Sequence, residues 1–179
     1  LCEAATGKVL KRLTDVNADV EMVGQDDKFV YYTSAEVSPV DNHLFRVEVK
    51  SGKKTRLTQA EGWHKVTMSG DMKYFVDNYS SLKVPRVILL VQNDGKKVKE
   101  LLKAEDPTKD YNFGEITLGT VKSADGKFNN YYRLIKPMNF DASRKYPVIV
   151  YVYGGPHSQM VKNTWQAEMR RWEMYMAQH

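Results

Sequence analysis

The sequence is poor in cysteine and in long apolar runs, and both absences restrict its class. Cys2 is the single cysteine among 179 residues, which excludes an internal disulfide and a cysteine-rich zinc site. No apolar run approaches the roughly 18 residues of a membrane-spanning helix, so we predict no membrane span. The first residues also lack the basic region and apolar core of a signal peptide. Because residue 1 is not methionine, that last absence says little about the intact protein.

Positive charge is in excess, but it is not concentrated in one place. The formal net charge is +5, and lysine pairs occur at Lys53-Lys54 and Lys96-Lys97 within turn-like segments. A nucleic-acid-binding protein more often concentrates its basic residues on one face or along one helix. We therefore predict a solvated surface and no nucleic-acid partner.

Two segments of the first 105 residues resemble each other. The matching positions are Gly24 and Gly70, Phe29-Val30 and Phe75-Val76, and Gly52-Lys53-Lys54 and Gly95-Lys96-Lys97. Each copy predicts four short strands joined by turns rich in Asp, Gly and Lys. Four-stranded units at a period of about 40–50 residues are typical of β-propeller blades. Residues 6–14 resemble the end of a copy, residues 51–58, so we expect the chain to begin inside a blade.

The pattern changes near residues 105–110. Residues 116–122 and 130–136 predict a hairpin, and the apolar run 147–153 predicts a strand buried on both faces of a parallel sheet. The last segment predicts an amphipathic helix from Gln159 onward, with Trp165, Met169 and Trp172 in the core. This order fits the opening of an α/β-hydrolase sheet. We therefore predict a mixed fold: part of an all-β propeller at 1–113, then the N-terminal part of an α/β-hydrolase domain at 114–179.

The end of the apolar run is the candidate functional segment. Gly154 and Gly155 follow the predicted strand, where paired glycines let a bound group approach the backbone. Active sites of α/β enzymes lie at this edge of the sheet. The adjacent His157 and Ser158 would point apart in an extended segment, so we do not assign them as a nucleophile-base pair.

His43 and His64 are expected on turns or blade edges, and we predict no metal and no cofactor.

The motifs around this segment resemble the dipeptidyl peptidase IV branch of the prolyl oligopeptidase serine peptidases. The similar stretches are residues 131–137, Lys145-Tyr146-Pro147, Tyr151-Val152-Tyr153 and residues 154–159, with residues 77–81 resembling the last propeller blade. The resemblance implies a serine peptidase, periplasmic or secreted, that releases N-terminal Xaa-Pro or Xaa-Ala dipeptides from a peptide substrate. It further implies that the Tyr153 hydroxyl donates a hydrogen bond to the oxyanion of the reaction. Tyr151 is expected to lie in the core.

The sequence departs from the family in the residues it lacks. No serine stands in a Gly-x-Ser-x-Gly motif. In α/β-hydrolases the nucleophile, acid and histidine follow this strand in that order. We therefore expect a fragment that is inactive alone, with the triad beyond His179 and the family's paired substrate-binding glutamates upstream of Leu1.

Two alternatives to this assignment remain open. The parent could instead be another prolyl-oligopeptidase relative, such as an acylaminoacyl peptidase or an endopeptidase. It could also be a binding module whose hydrolase domain is inactive. Unpaired strand edges and exposed apolar surface predict a homodimer or another self-association.

Overall fold

The computed structural model describes residues 1–111, 113–155 and 158–179, and this part of the chain is mostly antiparallel sheet. Its strands are β1 (Val20–Gln25), β2 (Phe29–Ser34), β3 (His43–Glu48), β4 (Lys54–Arg56), β5 (Trp63–Met68), β6 (Tyr74–Ser81), β7 (Val84–Gln92), β8 (Lys97–Lys103), β9 (Ile116–Lys122) and β10 (Asn129–Ile135). A 3-10 turn, Trp165–Glu168, precedes the helix α1 (Arg171–Gln178). No helix in the described ranges is long and apolar enough to cross a membrane.

The first eight strands form two four-stranded sheets of the same design. Their orders are β1-β2-β3-β4 and β5-β6-β7-β8, and every neighbouring pair is antiparallel. Each sheet is therefore a meander of sequential strands, as the repeat predicts, and the expectation of propeller blades is confirmed. The predicted hairpin is also confirmed, because β9 and β10 pair from Ile116 with Ile135 to Lys122 with Asn129.

Short polar side chains fix the turns between strands. Before β2, the Asp26 carboxylate accepts hydrogen bonds from the backbone N–H groups of Lys28 (2.8 Å) and Phe29 (2.7 Å). Burial raises the pKa of Asp26, but these hydrogen bonds outweigh it and the net pKa is lowered. Such Asx turns place the next strand antiparallel to the previous one.

The two blades pack face to face over a shared apolar core. The core consists of Tyr31, Leu44 and Leu57 from the first blade and Phe75 and Val91 from the second. A four-stranded sheet has two faces to bury, and here each blade covers one face of the other. The blades are therefore a single packed unit, with the joint at the start of β5.

The joint requires a glycine at position 62. Gly62 has φ +128° and its carbonyl accepts a hydrogen bond from the Asn42 N–H at 3.2 Å. A Cβ atom at this position would lie 2.2 Å from the Ser80 carbonyl oxygen. Only glycine combines this backbone conformation with so close an approach.

Two histidines are buried at the same joint. His64 lies in the edge strand of the second blade, as expected, whereas His43 opens an inner strand of the first blade and so departs from the expectation. His43 opens β3 and His64 lies in β5, with ring centroids 5.0 Å apart. Polar partners compensate for their burial: His43 Nδ1 lies 3.1 Å from Thr58 Oγ1, and His64 Nδ1 lies 2.8 Å from Asp77 Oδ1. A polar residue is buried in a strand when each of its hydrogen-bonding atoms finds a partner.

The second half of the chain departs from the sequence predictions in two places. Residues 147–153 form no strand and are exposed, with Val150 at 81 % of its accessible surface. A strand buried on both faces needs paired neighbours and covering helices, and the described residues place neither beside this segment.

The helix begins at Arg171 and not near Gln159, and Trp172 is exposed instead of in the core. The domain boundary at residues 113 and 114 stays a prediction.

The geometry at Gly62 predicts that Gly62→Ala destabilises the protein strongly. We expect the free energy of unfolding to fall by at least about 2 kcal/mol, because the new methyl group collides with backbone in a strained conformation. Urea denaturation measures the change. The matched control is Gly70→Ala, which meets open space and should change stability by less than about 1 kcal/mol. Equal effects of the two substitutions would contradict the assignment.

The burial of His43 predicts a pH-dependent stability. Burial, with smaller effects of His64 and Arg56, lowers the pKa of His43 to about 4, whereas in an unfolded chain it is about 6.5. Between these two values the unfolded chain binds the extra proton. The free energy of unfolding should therefore decrease as pH falls through this window, by about 1.4 kcal/mol per pH unit for this one group.

Denaturation curves between pH 4 and pH 6.5 test this contribution. His43→Gln should remove this part of the slope, since glutamine carries no titratable proton. The exposed His179 offers the control, and His179→Gln should leave the slope unchanged. A slope that His43→Gln does not alter would show that His43 titrates normally in the folded protein.

Candidate functional site

Tyr153, the predicted oxyanion donor, lies at the end of the exposed segment 147–153, beside the paired glycines. Its side chain is 45 % exposed. Its ring lies over Gly155, where a Cβ atom would stand 2.8 Å from the Tyr153 hydroxyl oxygen. The absence of a side chain at Gly155 leaves room for the Tyr153 ring, whereas Gly154 faces open space. The approach of a bound group to these glycines stays a prediction. Pro156 and His157, with the predicted Gly-Gly-Pro turn and the His157–Ser158 pair, lie outside the described residues.

Tyr151 is not a core residue, and this expectation was wrong. It is 54 % exposed, and the Arg170 guanidinium lies 4.0 Å from the centre of its ring. Arg170 also lies 5.2 Å from the ring of Trp172. A cation over an aromatic face is attracted by the ring quadrupole. The contact links the segment that carries Tyr153 to the start of α1.

A chain of ionic contacts continues from Arg170 into the fold. Arg170 Nη2 lies 2.8 Å from Glu173 Oε1, and Arg133 Nη2 lies 2.7 Å from Glu173 Oε2. Arg133 also donates to the Ala167 carbonyl at 2.6 Å. The side chains of Arg133 and Glu173 are only 12 % and 8 % exposed. Glu173 is thus a largely buried carboxylate held between two guanidinium groups.

The electrostatics of this cluster keep Glu173 ionised. Burial acts to raise the pKa of Glu173, but the hydrogen bonds from Arg170 and the charges of Arg133 and Arg170 outweigh it and lower the pKa. In turn, the hydrogen bonds to Glu173 raise the pKa of Arg170, and the contact with Tyr151 adds to this effect. Each member stabilises the charged form of its neighbour, so the cluster is held by charge-assisted hydrogen bonds.

The residues before α1 dock across the ends of both blades. Buried Asn163 donates to Asp41 Oδ1 at 2.8 Å and to Glu61 Oε1 at 3.0 Å, and its side-chain oxygen accepts from the Leu82 N–H at 2.8 Å. Burial, more than any other cause, raises the pKa of Asp41. Both N–H donors and the oxygen of one amide side chain therefore join this segment to the two blades.

The 3-10 turn that follows has an unusual backbone. Gln166, Ala167 and Glu168 have φ values of 50°, 51° and 54°, in the left-handed region. The Gln166 N–H donates to the Leu82 carbonyl at 3.2 Å, and buried Ala167 presents its carbonyl to Arg133. Strained turns of this kind persist where the surroundings hold them.

The arrangement can donate a hydrogen bond through the exposed Tyr153 hydroxyl. Within the described ranges, no three His, Cys, Asp or Glu side chains are grouped so that they could hold a metal ion. The sequence predicted Tyr153 but missed Arg133, Asn163, Arg170 and Glu173. The spacing of Arg170 and Glu173, one helical turn apart, is the signal that could have indicated an ion pair.

Comparisons with known proteins agree on one family. The family profile described as "Dipeptidyl peptidase IV (DPP IV) N-terminal region" matches residues 2–86. Human dipeptidyl peptidase 8 is 32 % identical over 147 residues, which is 76 % of this chain and 16 % of that protein. Dipeptidyl peptidase 4 of Arthroderma otae is 28 % identical over 151 residues, or 81 % of this chain and 19 % of that protein. The chain thus spans less than a fifth of these relatives.

Solved structures extend the similarity to nearly the whole chain. The dipeptidyl peptidase 4 of Porphyromonas gingivalis has a TM-score of 0.86 at 30 % identity and covers 97 % of this chain and 25 % of that one. A putative dipeptidyl aminopeptidase IV from Bacteroides ovatus has a TM-score of 0.82 at 42 % identity, covering 93 % and 24 %.

The contacts of Asn163 predict that Asn163→Ala releases the docked segment. We expect a loss of about 2 kcal/mol, because the substitution leaves the Leu82 N–H and the Asp41 carboxylate without a partner in a buried place. Hydrogen exchange at the Leu82 and Gln166 amides should accelerate. Exposed Gln159 donates to the Pro39 carbonyl, so Gln159→Ala is the control and should cost less than about 1 kcal/mol. Unchanged exchange in Asn163→Ala would contradict the docking role.

Proposed function

Because the chain belongs to the dipeptidyl peptidase IV family, we propose that it is part of a serine peptidase that releases N-terminal Xaa-Pro or Xaa-Ala dipeptides. The similarity to solved dipeptidyl peptidase structures over 93 % and 97 % of the chain is the observation that carries this proposal. The two propeller blades and the Tyr153 segment follow the order that the family resemblance implies. A peptide is accordingly the proposed substrate.

Tyr153 is the proposed oxyanion donor of this reaction. Attack on a peptide carbonyl creates negative charge on its oxygen, and a donor already in place lowers the barrier because no reorganisation is needed. The Tyr153 hydroxyl is suited to this role because it is exposed and lies beside Gly155, which has no side chain to block an approaching carbonyl. We place the nucleophile, acid and base of the acyl-enzyme mechanism in parts of the protein outside this sequence.

Two further parts of the proposal concern location, which rests on the family resemblance, and self-association, which rests on exposed apolar surface. The proposed location is periplasmic or secreted, which cell fractionation tests, and light scattering tests the self-association. Exposed apolar side chains on β8, namely Val98, Leu101 and Leu102, support the latter.

The assignment predicts that Tyr153→Phe slows the full-length enzyme without weakening substrate binding. We expect kcat on a chromogenic Gly-Pro substrate to fall on the order of 10²–10³-fold, with KM nearly unchanged, because only the transition state carries the oxyanion. Steady-state kinetics on purified protein measures both constants.

The control is Tyr175→Phe, which removes the hydroxyl of another exposed tyrosine. It should leave kcat unchanged. An unchanged rate in Tyr153→Phe would reduce Tyr153 to a packing residue. A wild-type enzyme without activity on the Gly-Pro substrate would instead favour the other peptidase classes or a binding module.

A further inference from the structure

We propose that Arg170 is a positioning residue for Tyr153: its contact with the Tyr151 ring fixes the segment on which the oxyanion donor stands. The inference rests on the proposed function of Tyr153. Only one residue separates Tyr151 from Tyr153. A contact that fixes the Tyr151 ring therefore also restricts the backbone from which the Tyr153 side chain projects.

The segment itself supplies little that would hold Tyr153 in place. Residues 148–153 are all exposed, and among the described residues no hydrogen bond engages the backbone of residues 147–155. Among the described residues, the cation–π or ionic contact closest in sequence to Tyr153 is the one between Arg170 and the Tyr151 ring. The direction of the Tyr153 hydroxyl thus depends on where Arg170 stands.

Arg170 is itself held rigidly. Its Nε and Nη2 atoms both donate to Glu173 Oε1, at 3.1 and 2.8 Å, and its backbone N–H donates to Glu173 Oε2 at 2.9 Å. Arg133 anchors the same carboxylate from β10, with both Glu173 oxygens within 2.8 Å of its Nη2 atom. A planar guanidinium engaged by several hydrogen bonds has little freedom left to rotate.

The anchor reaches back to the propeller blades. Arg133 holds the Ala167 carbonyl within the left-handed turn, and the Trp165 N–H next to that turn donates to Ser80 Oγ at 3.1 Å. Tyr151 is thus connected through Arg170, Glu173 and Arg133 to elements that pack against the second blade. This continuous set of contacts gives Arg170 a fixed position from which to hold the segment.

A purely structural role for Arg170 is the alternative, since it precedes α1 as the N-cap residue and its backbone N–H donates to the Glu173 carboxylate in the first turn. A capping role concerns the stability of α1 and makes no contact with the reaction. Coupling between Arg170 and Tyr153 in kcat separates the two roles, because a lost helix cap has no reason to act only through the Tyr153 hydroxyl.

The test measures kcat and KM of the full-length enzyme on the chromogenic Gly-Pro substrate for Arg170→Met, Arg170→Lys, Tyr153→Phe and the double variant. Methionine keeps an unbranched apolar stem but removes the guanidinium group and its charge. The control is Arg171→Met, which neutralises an adjacent arginine whose side chain is exposed. Circular dichroism and thermal unfolding confirm that each variant is folded.

We expect Arg170→Met to lower kcat about 10- to 100-fold with KM nearly unchanged, because a displacement near 1 Å of a catalytic group has effects of this size. Arg170→Lys, which retains a cation for the Tyr151 ring, should recover part of the loss, and Arg171→Met should match wild type. In the Tyr153→Phe background, Arg170→Met should have almost no further effect.

Two results overturn the inference while leaving the proposed function intact. In the first, Tyr153→Phe is slow but Arg170→Met matches wild type. In the second, Arg170→Met lowers kcat by the same factor whether or not the Tyr153 hydroxyl is present, which assigns Arg170 a structural role alone. A Tyr153→Phe enzyme as fast as wild type overturns the proposed role of Tyr153 and this inference together.

Discussion

The packing of one blade against the next is the constraint on which the rest of the structure depends. A four-stranded meander buries no face by itself, so its apolar residues are covered only when a second sheet lies over them. Tyr31 and Phe75 meet in the core between the two blades. The polar groups that this packing buries, above all His43 and His64, must then find partners at the joint. The joint in turn fixes the ends of the strands where the later part of the chain docks.

The docked segment carries that geometry from the blades to the candidate site. Asn163 bonds to groups from both blades, so its position is defined only once the blades have packed. The left-handed turn at Gln166–Glu168 follows directly, and each non-glycine residue in this conformation costs roughly 1–2 kcal/mol. Such a turn persists because buried Ala167 and the hydrogen bond from Arg133 compensate for the strain. The direction of α1 is therefore imposed by tertiary contacts and not by the local sequence.

The sequence predicted the elements whose signals are local. The turns at Asp26, Asp94 and Ser123 and the repeat itself identified both blades and the β9–β10 hairpin, since turn chemistry and alternation act over a few residues. Burial was less predictable. The apolar run at 147–153 has the composition of a core strand, yet burial depends on neighbours that composition does not specify. Conversely, His43 and His64 are buried because Thr58 and Asp77 are brought to them by strand pairing, which their own spacing does not reveal.

The candidate site shows the same division. Tyr153 was predicted from a contiguous motif, whereas Arg133 and Glu173 are 40 residues apart and meet only because β10 lies beside α1. A largely buried carboxylate between two guanidinium groups is costly to assemble, since each charge loses its hydration. Such a cluster contributes more to a defined geometry than to stability, because its hydrogen bonds are directional and apolar packing is not. The cluster lies between the rigid blades and the exposed segment that carries the candidate catalytic hydroxyl. A defined geometry at this place therefore bears on the position of a reacting group.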